Sequence, residues 1–144
     1  ADICTPSLNQ RAIHLALANG QLAEHIAHVQ QVCQARRAAM LEALTVHLPG
    51  ARWQEPRGGL YLWLELPADG PSATELYVHA VQAGVAFAPG PLFYLDGRGA
   101  HHLRLNMVAH PPEIATEGAA RLGGAWRELA AGYEPPAGRA GPFL

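Results

Sequence analysis

The sequence contains no lysine, because all ten of its basic residues are arginine. A lysine amine is the group that forms a Schiff base with a carbonyl substrate or cofactor, so this chain alone cannot carry out that chemistry. Cysteine is also scarce, with only Cys4 and Cys33 present. Two cysteines do not make a disulfide framework, and they predict a reducing, cytoplasmic environment.

Long apolar runs and charge of a single sign are missing as well. No apolar run approaches the roughly 18 residues of a transmembrane helix, and no basic stretch followed by an apolar one predicts a signal peptide. The net charge is -2 with mixed signs, which gives no electrostatic footprint for nucleic acid or an anionic membrane. The chain does have 144 residues, 49% of them hydrophobic, which is enough for a folded domain with a core.

Helical periodicity predicts four helices, because apolar residues recur at spacings of three and four. The predicted helices cover residues 8–18, 21–48, 73–83 and 112–130. Ser7 is expected to cap the first helix, and Ser72 with Glu75 has the spacing of a capping box for the third. In the fourth helix we expect Ile114 and Leu122 among the residues that face the core.

Alternating apolar and polar residues predict four short strands, over residues 51–56, 60–66, 85–88 and 102–108. In the last strand Leu103, Leu105 and Met107 point to one face, and Arg104 lies in the polar row on the other. Strands in hairpin-like pairs with helices around them predict an α+β fold. This fold is a small antiparallel or mixed sheet covered by helices on one face, with a long N-terminal helix.

Arg104 is the leading candidate for a binding residue, because a mid-strand arginine presents a planar fork of donors from a rigid element. Phe93 and Tyr94 lie in an irregular loop that we expect to face it. The alternative is an arginine that is solvated or salt-bridged on an open sheet face, where such a pair contributes about 0–1 kcal/mol. The other aromatic residues are expected mostly in the core, namely Trp53, Tyr61, Trp63 and Phe87.

Gly58 and Gly59 precede the second strand, and two interpretations of them remain open. A glycine pair at a strand entry lets a backbone or ligand approach closely. It also suits a hairpin turn between the first two strands.

Other chemistry has weaker support. His25 and His28 are spaced for one face of a helix and His101 and His102 are adjacent, but no carboxylate or cysteine completes a ligand set nearby. We therefore expect solvated histidines, no metal site and no catalytic residue. Cys33 is expected to be a small apolar filler within the long helix.

Four segments together resemble one protein family. They are residues 4–10 (CTPSLNQ), 57–64 (RGGLYLWL), 84–90 (GVAFAPG) followed by Phe93-Tyr94, and 103–106 (LRLN). Their order and spacing, over about residues 1–130, resemble the C-terminal small domain of fold-type I, class I/II aminotransferases that depend on pyridoxal phosphate (PLP). The nearest types are 2-aminoadipate and multi-substrate aminotransferases and the aminotransferase-like half of MocR-type regulators.

This resemblance implies roles for the candidate residues. Arg104 would bind the α-carboxylate of an amino-acid or 2-oxo-acid substrate, Gly58 and Gly59 would leave room at the pocket rim, and Phe93 and Tyr94 would belong to the loop that closes over the substrate. Binding the carboxylate would orient the substrate against the cofactor.

The resemblance also implies what this chain does not contain. The Schiff-base lysine and the other PLP-binding residues of the family lie in a large domain that would precede Ala1, so PLP would be held by a longer parent protein and not by this chain alone. Residues 1–131 would be the small domain, with 1–20 leading in from the large domain, and 132–144 a Pro/Gly-rich tail. The parent would be a homodimer. Three alternatives are the effector-sensing part of a MocR-type transcription regulator, a stand-alone binding module and a purely structural fragment.

Overall fold

The computed structural model describes residues 6–134. Packing within the chain divides it into two compact units, one ending at Ala35 and the other beginning at Arg36. Cys4, the start of the first family-like segment and most of the expected tail lie outside the described residues.

The first unit is helical. Helix α1 covers Ser7–Ala18, and the first part of helix α2, Gln21–His47, follows it, so both predicted helices are confirmed. The expected cap at Ser7 is wrong, because the helix begins one residue earlier. Pro6 is the N-cap residue, with no side-chain cap, and its carbonyl accepts from the backbone N–H of Gln10 at 3.3 Å.

Apolar side chains in this first unit are exposed. Those of α1 include Leu8, Ile13, Leu15 and Leu17, and those of α2 include Ile26 and Val29. The apolar residues that predict the long helix are buried only near its C-terminal end, at Leu44 and at Leu48 just beyond it, and both belong to the second unit.

The second unit contains a four-stranded sheet with the order β1-β2-β4-β3. The strands are β1 (Arg52–Trp53), β2 (Tyr61–Glu65), β3 (Ala88–Pro89) and β4 (His102–Asn106). All three pairings are antiparallel, which confirms the fold class and the hairpin between the first two strands. Strands β1 and β3 are shorter than predicted. Strand β3 also includes Pro89, which an edge strand tolerates because one side of it needs no N–H donor.

One face of this sheet forms the core. Leu62 and Leu64 of β2 and Leu103 and Leu105 of β4 are at most 6% exposed, which confirms the predicted inward rows. Helices α3 (Ala73–Gln82) and α4 (Pro112–Ala131) and the end of α2 contribute the other buried residues of this cluster. The helices therefore cover a single face, as predicted.

Helix α4 differs from prediction at one inward position. Ile114 is 50% exposed, and the neighbouring Ala115 is buried instead. The difference is confined to the start of the helix, because Ala119 and Trp126 are buried on the same stripe as Leu122. Leu122 is buried as expected.

Local hydrogen bonds fix the second unit. The predicted capping box at α3 is confirmed, because the Ser72 hydroxyl accepts from the Glu75 N–H and the Glu75 carboxylate accepts from the Ser72 N–H at 2.7 Å. Arg36 donates to the carbonyl of Val108 at 2.7 Å, and Arg37 donates to that of Pro56 at 2.8 Å. These two bonds hold the end of α2 against the end of β4 and the β1–β2 connection.

The irregular loop predicted after β3 begins with an unforeseen 3₁₀ helix over Gly90–Phe93. This turn brings Phe93 back to the sheet face opposite the core. Among residues 6–134, no helix has the length and hydropathy needed to cross a bilayer.

Candidate functional site

Arg104 lies at the centre of the sheet. Its strand, β4, is flanked on both sides, and Arg104 is paired with Trp63 of β2 and with Ala88 of β3. Leu103 and Leu105 on either side of it point into the core and are buried. The backbone of Arg104 is therefore held from both edges, and its side chain projects from the face that carries no helix.

Two aromatic rings contact the Arg104 guanidinium. Its Cζ atom lies 4.2 Å from the ring centroid of Tyr61 and 4.7 Å from that of Phe93. Such contacts stabilise a cation by about 0.5–2 kcal/mol, depending on exposure. Stacking on rings orients a guanidinium and leaves its N–H groups available for other partners.

The guanidinium N–H groups of Arg104 make no hydrogen bond or ion pair within residues 6–134. The side chain is half-buried, whereas Arg52, Arg98 and Arg121 form ion pairs with nearby carboxylates. A half-buried arginine with free donors is a suitable site for a carboxylate, which two parallel N–H groups can bind.

Trp63 links the aromatic residues of this face. Its ring meets Phe93 edge-on at a centroid distance of 5.3 Å, lies 6.2 Å from Tyr94 and stacks on His102 at 5.6 Å. The expectation that Tyr61 and Trp63 belong to the core is wrong: Tyr61 is 47% exposed and Trp63 is half-buried on the face of Arg104. The signal was present in the sequence, since both residues alternate with the buried Leu62 and Leu64.

The other predicted residues lie at different places around Arg104. Phe93 contacts it directly, as expected. Tyr94 contacts Trp63, and its own ring is covered by the guanidinium of Arg98 at 5.4 Å.

The two glycines lie in the connection between β1 and β2. Gly58 lines an open depression of about 480 Å³ that extends to Tyr61 and Trp63. Gly59 has a φ of +82°, a conformation that favours glycine. A Cβ atom at either position would meet nothing within 4 Å, so both glycines border open space.

A second cavity, of about 200 Å³, lies on the other side of the sheet between α2, α4 and β4. Its walls are mainly apolar, and the polar residues lining it are Asn106 and His110. No arginine lines this cavity.

The described residues contain no cluster that could hold a metal ion, and the chain has no lysine that could form a Schiff base with PLP. No group of three His, Cys, Asp or Glu side chains in residues 6–134 is placed to hold a metal ion, and the whole sequence lacks lysine. The expectation of solvated histidines is wrong for two of them. His101 is half-buried and its Nε2 lies 3.1 Å from the carbonyl of Gly70, while His102 stacks on Trp63.

Comparison with known proteins defines the class. No protein-family model matches the chain, but its relatives and structural neighbours are PLP-dependent aminotransferases. The chain spans about a third of their length, as expected for the C-terminal small domain of that fold. The predicted resemblance is confirmed: the chain is a homologue of PLP-dependent aminotransferases.

Two of the relatives are enzymes by name. The chain is 39% identical to the 2-aminoadipate transaminase of Thermus thermophilus over 132 residues, covering 91% of the chain and 33% of the relative. It is 34% identical to aromatic-amino-acid aminotransferase 1 of Thermococcus litoralis, covering 84% and 29%. A third relative, at 31% identity over 90% of the chain and 26% of its own length, is the HTH-type transcriptional regulator YdfD of Bacillus subtilis.

Solved structures agree with this class. The α-aminoadipate aminotransferase LysN of Thermus thermophilus, in complex with N-(5'-phosphopyridoxyl)-L-leucine, superposes with a TM-score of 0.81 over 90% of the chain and 33% of its own length, at 39% identity. The multiple-substrate aminotransferase of Thermococcus profundus also gives 0.81, over 89% and 32%, at 34% identity.

Proposed function

We propose that this chain is the domain of a PLP-dependent aminotransferase that binds the α-carboxylate of an amino acid or 2-oxo acid. The observation that carries the proposal is the half-buried Arg104 guanidinium, oriented by Tyr61 and Phe93 and without an ion pair in residues 6–134. A charge-assisted hydrogen bond of this kind contributes about 1.5–3 kcal/mol.

The other candidate residues take supporting roles in this proposal. Phe93 packs on the guanidinium. Tyr94 follows it in the loop that would close over the bound substrate. Gly58 and Gly59 border open space, which leaves room for a substrate side chain at the rim. Holding the carboxylate at Arg104 fixes the orientation of the substrate, and orientation lowers the barrier of the chemical step.

The cofactor would be held elsewhere. PLP supplies the electron sink for amino-group transfer when it is bound, but a chain without lysine cannot bind it covalently. We therefore propose that a large domain of a longer protein holds PLP and that this protein is a homodimer. It would act in the cytoplasm on small substrates, with no direct contact to nucleic acid or membrane.

A second function has one specific observation in its favour, the similarity to the regulator YdfD. In that alternative the same face senses an amino acid or PLP, and a separate segment binds DNA. The sequence encoded upstream discriminates between the two, because a regulator would carry a winged helix and a linker ahead of the large domain.

The test is amino-donor kinetics of the longer protein that contains this sequence, compared with its Arg104→Lys variant. Lysine keeps the charge but loses the planar fork, so we expect kcat/KM to fall by an amount equivalent to about 1–3 kcal/mol. Arg52→Lys is the matched control, because Arg52 is 72% exposed and already paired with Glu65. If the Arg104→Lys variant and the wild type have equal kinetics, Arg104 does not bind the substrate.

A further inference from the structure

Trp63 occupies a place that the proposed function does not explain. It is the direct cross-strand partner of Arg104 in the pairing of β2 with β4, yet the guanidinium packs on Tyr61 and Phe93. Tyr61 lies two residues from Trp63 on the same strand and is held by the sheet. Phe93 comes from the 3₁₀ helix after β3, so strand pairing does not hold its ring in place and a side-chain contact must do so.

The contacts of Trp63 supply that support. Its ring is perpendicular to that of Phe93, with an interplanar angle of 86° and a centroid distance of 5.3 Å. This is the edge-to-face arrangement that aromatic pairs prefer. Phe93 is 44% exposed, so few other contacts fix its position.

His102 supports Trp63 from the other side. The two rings are nearly parallel, at 23° and 5.6 Å, and His102 is held in β4 opposite Glu65. The Nδ1 atom of His102 is buried and has no hydrogen-bond partner within residues 6–134. The contact of His102 with Trp63 is made through the two rings.

We propose that Trp63, backed by His102, is a positioning residue that holds Phe93 against Arg104 and so sets the direction of the guanidinium donors. The proposal rests on the proposed function, because it takes the ligand of these donors to be a carboxylate. The order of contact is His102, Trp63, Phe93 and Arg104. Trp63 acts on the substrate only through the last two of these residues.

The test uses the 144-residue chain labelled with ¹⁵N-arginine and observed by NMR. Aromatic rings shift the resonances of the Arg104 side chain, so the shift of its Nε–H reports the position of the guanidinium relative to the rings of Tyr61 and Phe93. A titration with sodium pyruvate, against sodium chloride at equal ionic strength, reports carboxylate binding separately. We expect Trp63→Leu to move the Arg104 Nε–H resonance towards that of an exposed arginine. The same variant should weaken pyruvate binding by about threefold to tenfold.

Trp53→Leu is the matched control, because Trp53 is also half-buried on an adjacent strand but packs against the core. It should lower stability while leaving the Arg104 resonance in place. His102→Phe keeps a ring without the unpaired nitrogen and should preserve the Arg104 resonance, whereas His102→Ala should shift it in the same direction as Trp63→Leu.

The outcomes separate the two claims. If Trp63→Leu leaves the Arg104 resonance where Trp53→Leu leaves it, Trp63 does not position the arginine and the inference is wrong. If the resonance moves in Trp63→Leu but Arg104→Lys leaves the amino-donor kinetics of the longer protein unchanged, the positioning holds and the carboxylate assignment of Arg104 is contradicted. If Trp63→Leu both moves the Arg104 resonance and weakens pyruvate binding, the positioning role of Trp63 and the carboxylate assignment of Arg104 are both supported.

Discussion

At the scale of single residues, the decisive feature is an arginine that packs on rings rather than on carboxylates. An exposed ion pair would occupy the donors of Arg104 for a contribution of about 0–1 kcal/mol. Tyr61 and Phe93 instead orient the guanidinium and leave its N–H groups free. In the proposed function, this aromatic face would exclude water from one side of the bound carboxylate and so strengthen its hydrogen bonds.

Tyr61→Leu tests how much the ring contact contributes. The guanidinium lies 4.2 Å from the Tyr61 centroid, and losing this contact should lower the free energy of unfolding by about 0.5–1 kcal/mol in urea denaturation. Tyr61→Phe keeps the ring and is the control. Equal stability losses in the two variants would show that the ring contact with Arg104 has no energetic role.

At the scale of elements, the start of α3 has a stability that depends on pH. The side-chain hydrogen bond from Ser72, followed by the one from its backbone N–H, lowers the pKa of Glu75 below its usual value. The pKa of Glu75 is lower in the folded state than in the unfolded state. The stabilisation that its charged carboxylate gives to the folded state is therefore fully present above the unfolded pKa. It is lost as pH falls through the folded pKa.

Removing the cap should therefore have a pH-dependent cost. Ser72→Ala should lower the free energy of unfolding by about 1 kcal/mol at neutral pH. That difference should shrink on acidification below the usual carboxylate range, as measured by urea denaturation at several pH values. Glu75→Gln, which keeps an acceptor but cannot titrate, should remove this part of the pH dependence. A cost of Ser72→Ala that stays constant down to pH 2–3 would contradict the role of the charged carboxylate.

The crossing of α4 and α2 gives a second test at this scale. Gly123 is buried, and a Cβ atom there would overlap the backbone carbonyl of His47, whereas Gly124 has no neighbour within 4 Å. Gly123→Ala should lower the free energy of unfolding by about 1–3 kcal/mol through overpacking. Gly124→Ala should raise it by about 0.5–1 kcal/mol through helix propensity. Thermal unfolding of the two variants measures both, and effects of the same sign would show that the close approach at Gly123 is absent.

At the scale of the whole molecule, the sequence predicted what local periodicity determines. The alternation of leucines with polar or aromatic residues in 60–66 and 102–108 gave the core face, and the spacing of Ser72 and Glu75 gave the capping box. Arg104 and Phe93 were predicted to meet, and they do.

The missed features depend on tertiary contacts. Trp63 is the exception, because its alternation with the buried Leu62 and Leu64 already places it on the outward face and only its residue type favoured the core. The 3₁₀ helix over Gly90–Phe93 and the ring stack of His102 have no sequence period, since they arise from a loop packing back on the sheet. The exposure of Ile114 likewise follows from how closely α4 packs.

The proposed aminotransferase function is tested most directly by an absorbance titration with PLP, made on this chain and on the longer protein that contains it. We predict no saturable cofactor band with the 144-residue chain, because it has no lysine. In the longer protein we predict a band that amino-acid substrates change and that Arg104→Lys makes less sensitive to them. A longer protein that binds no PLP would contradict the account: its likeness to aminotransferases would be one of fold alone, and Arg104 would serve another ligand.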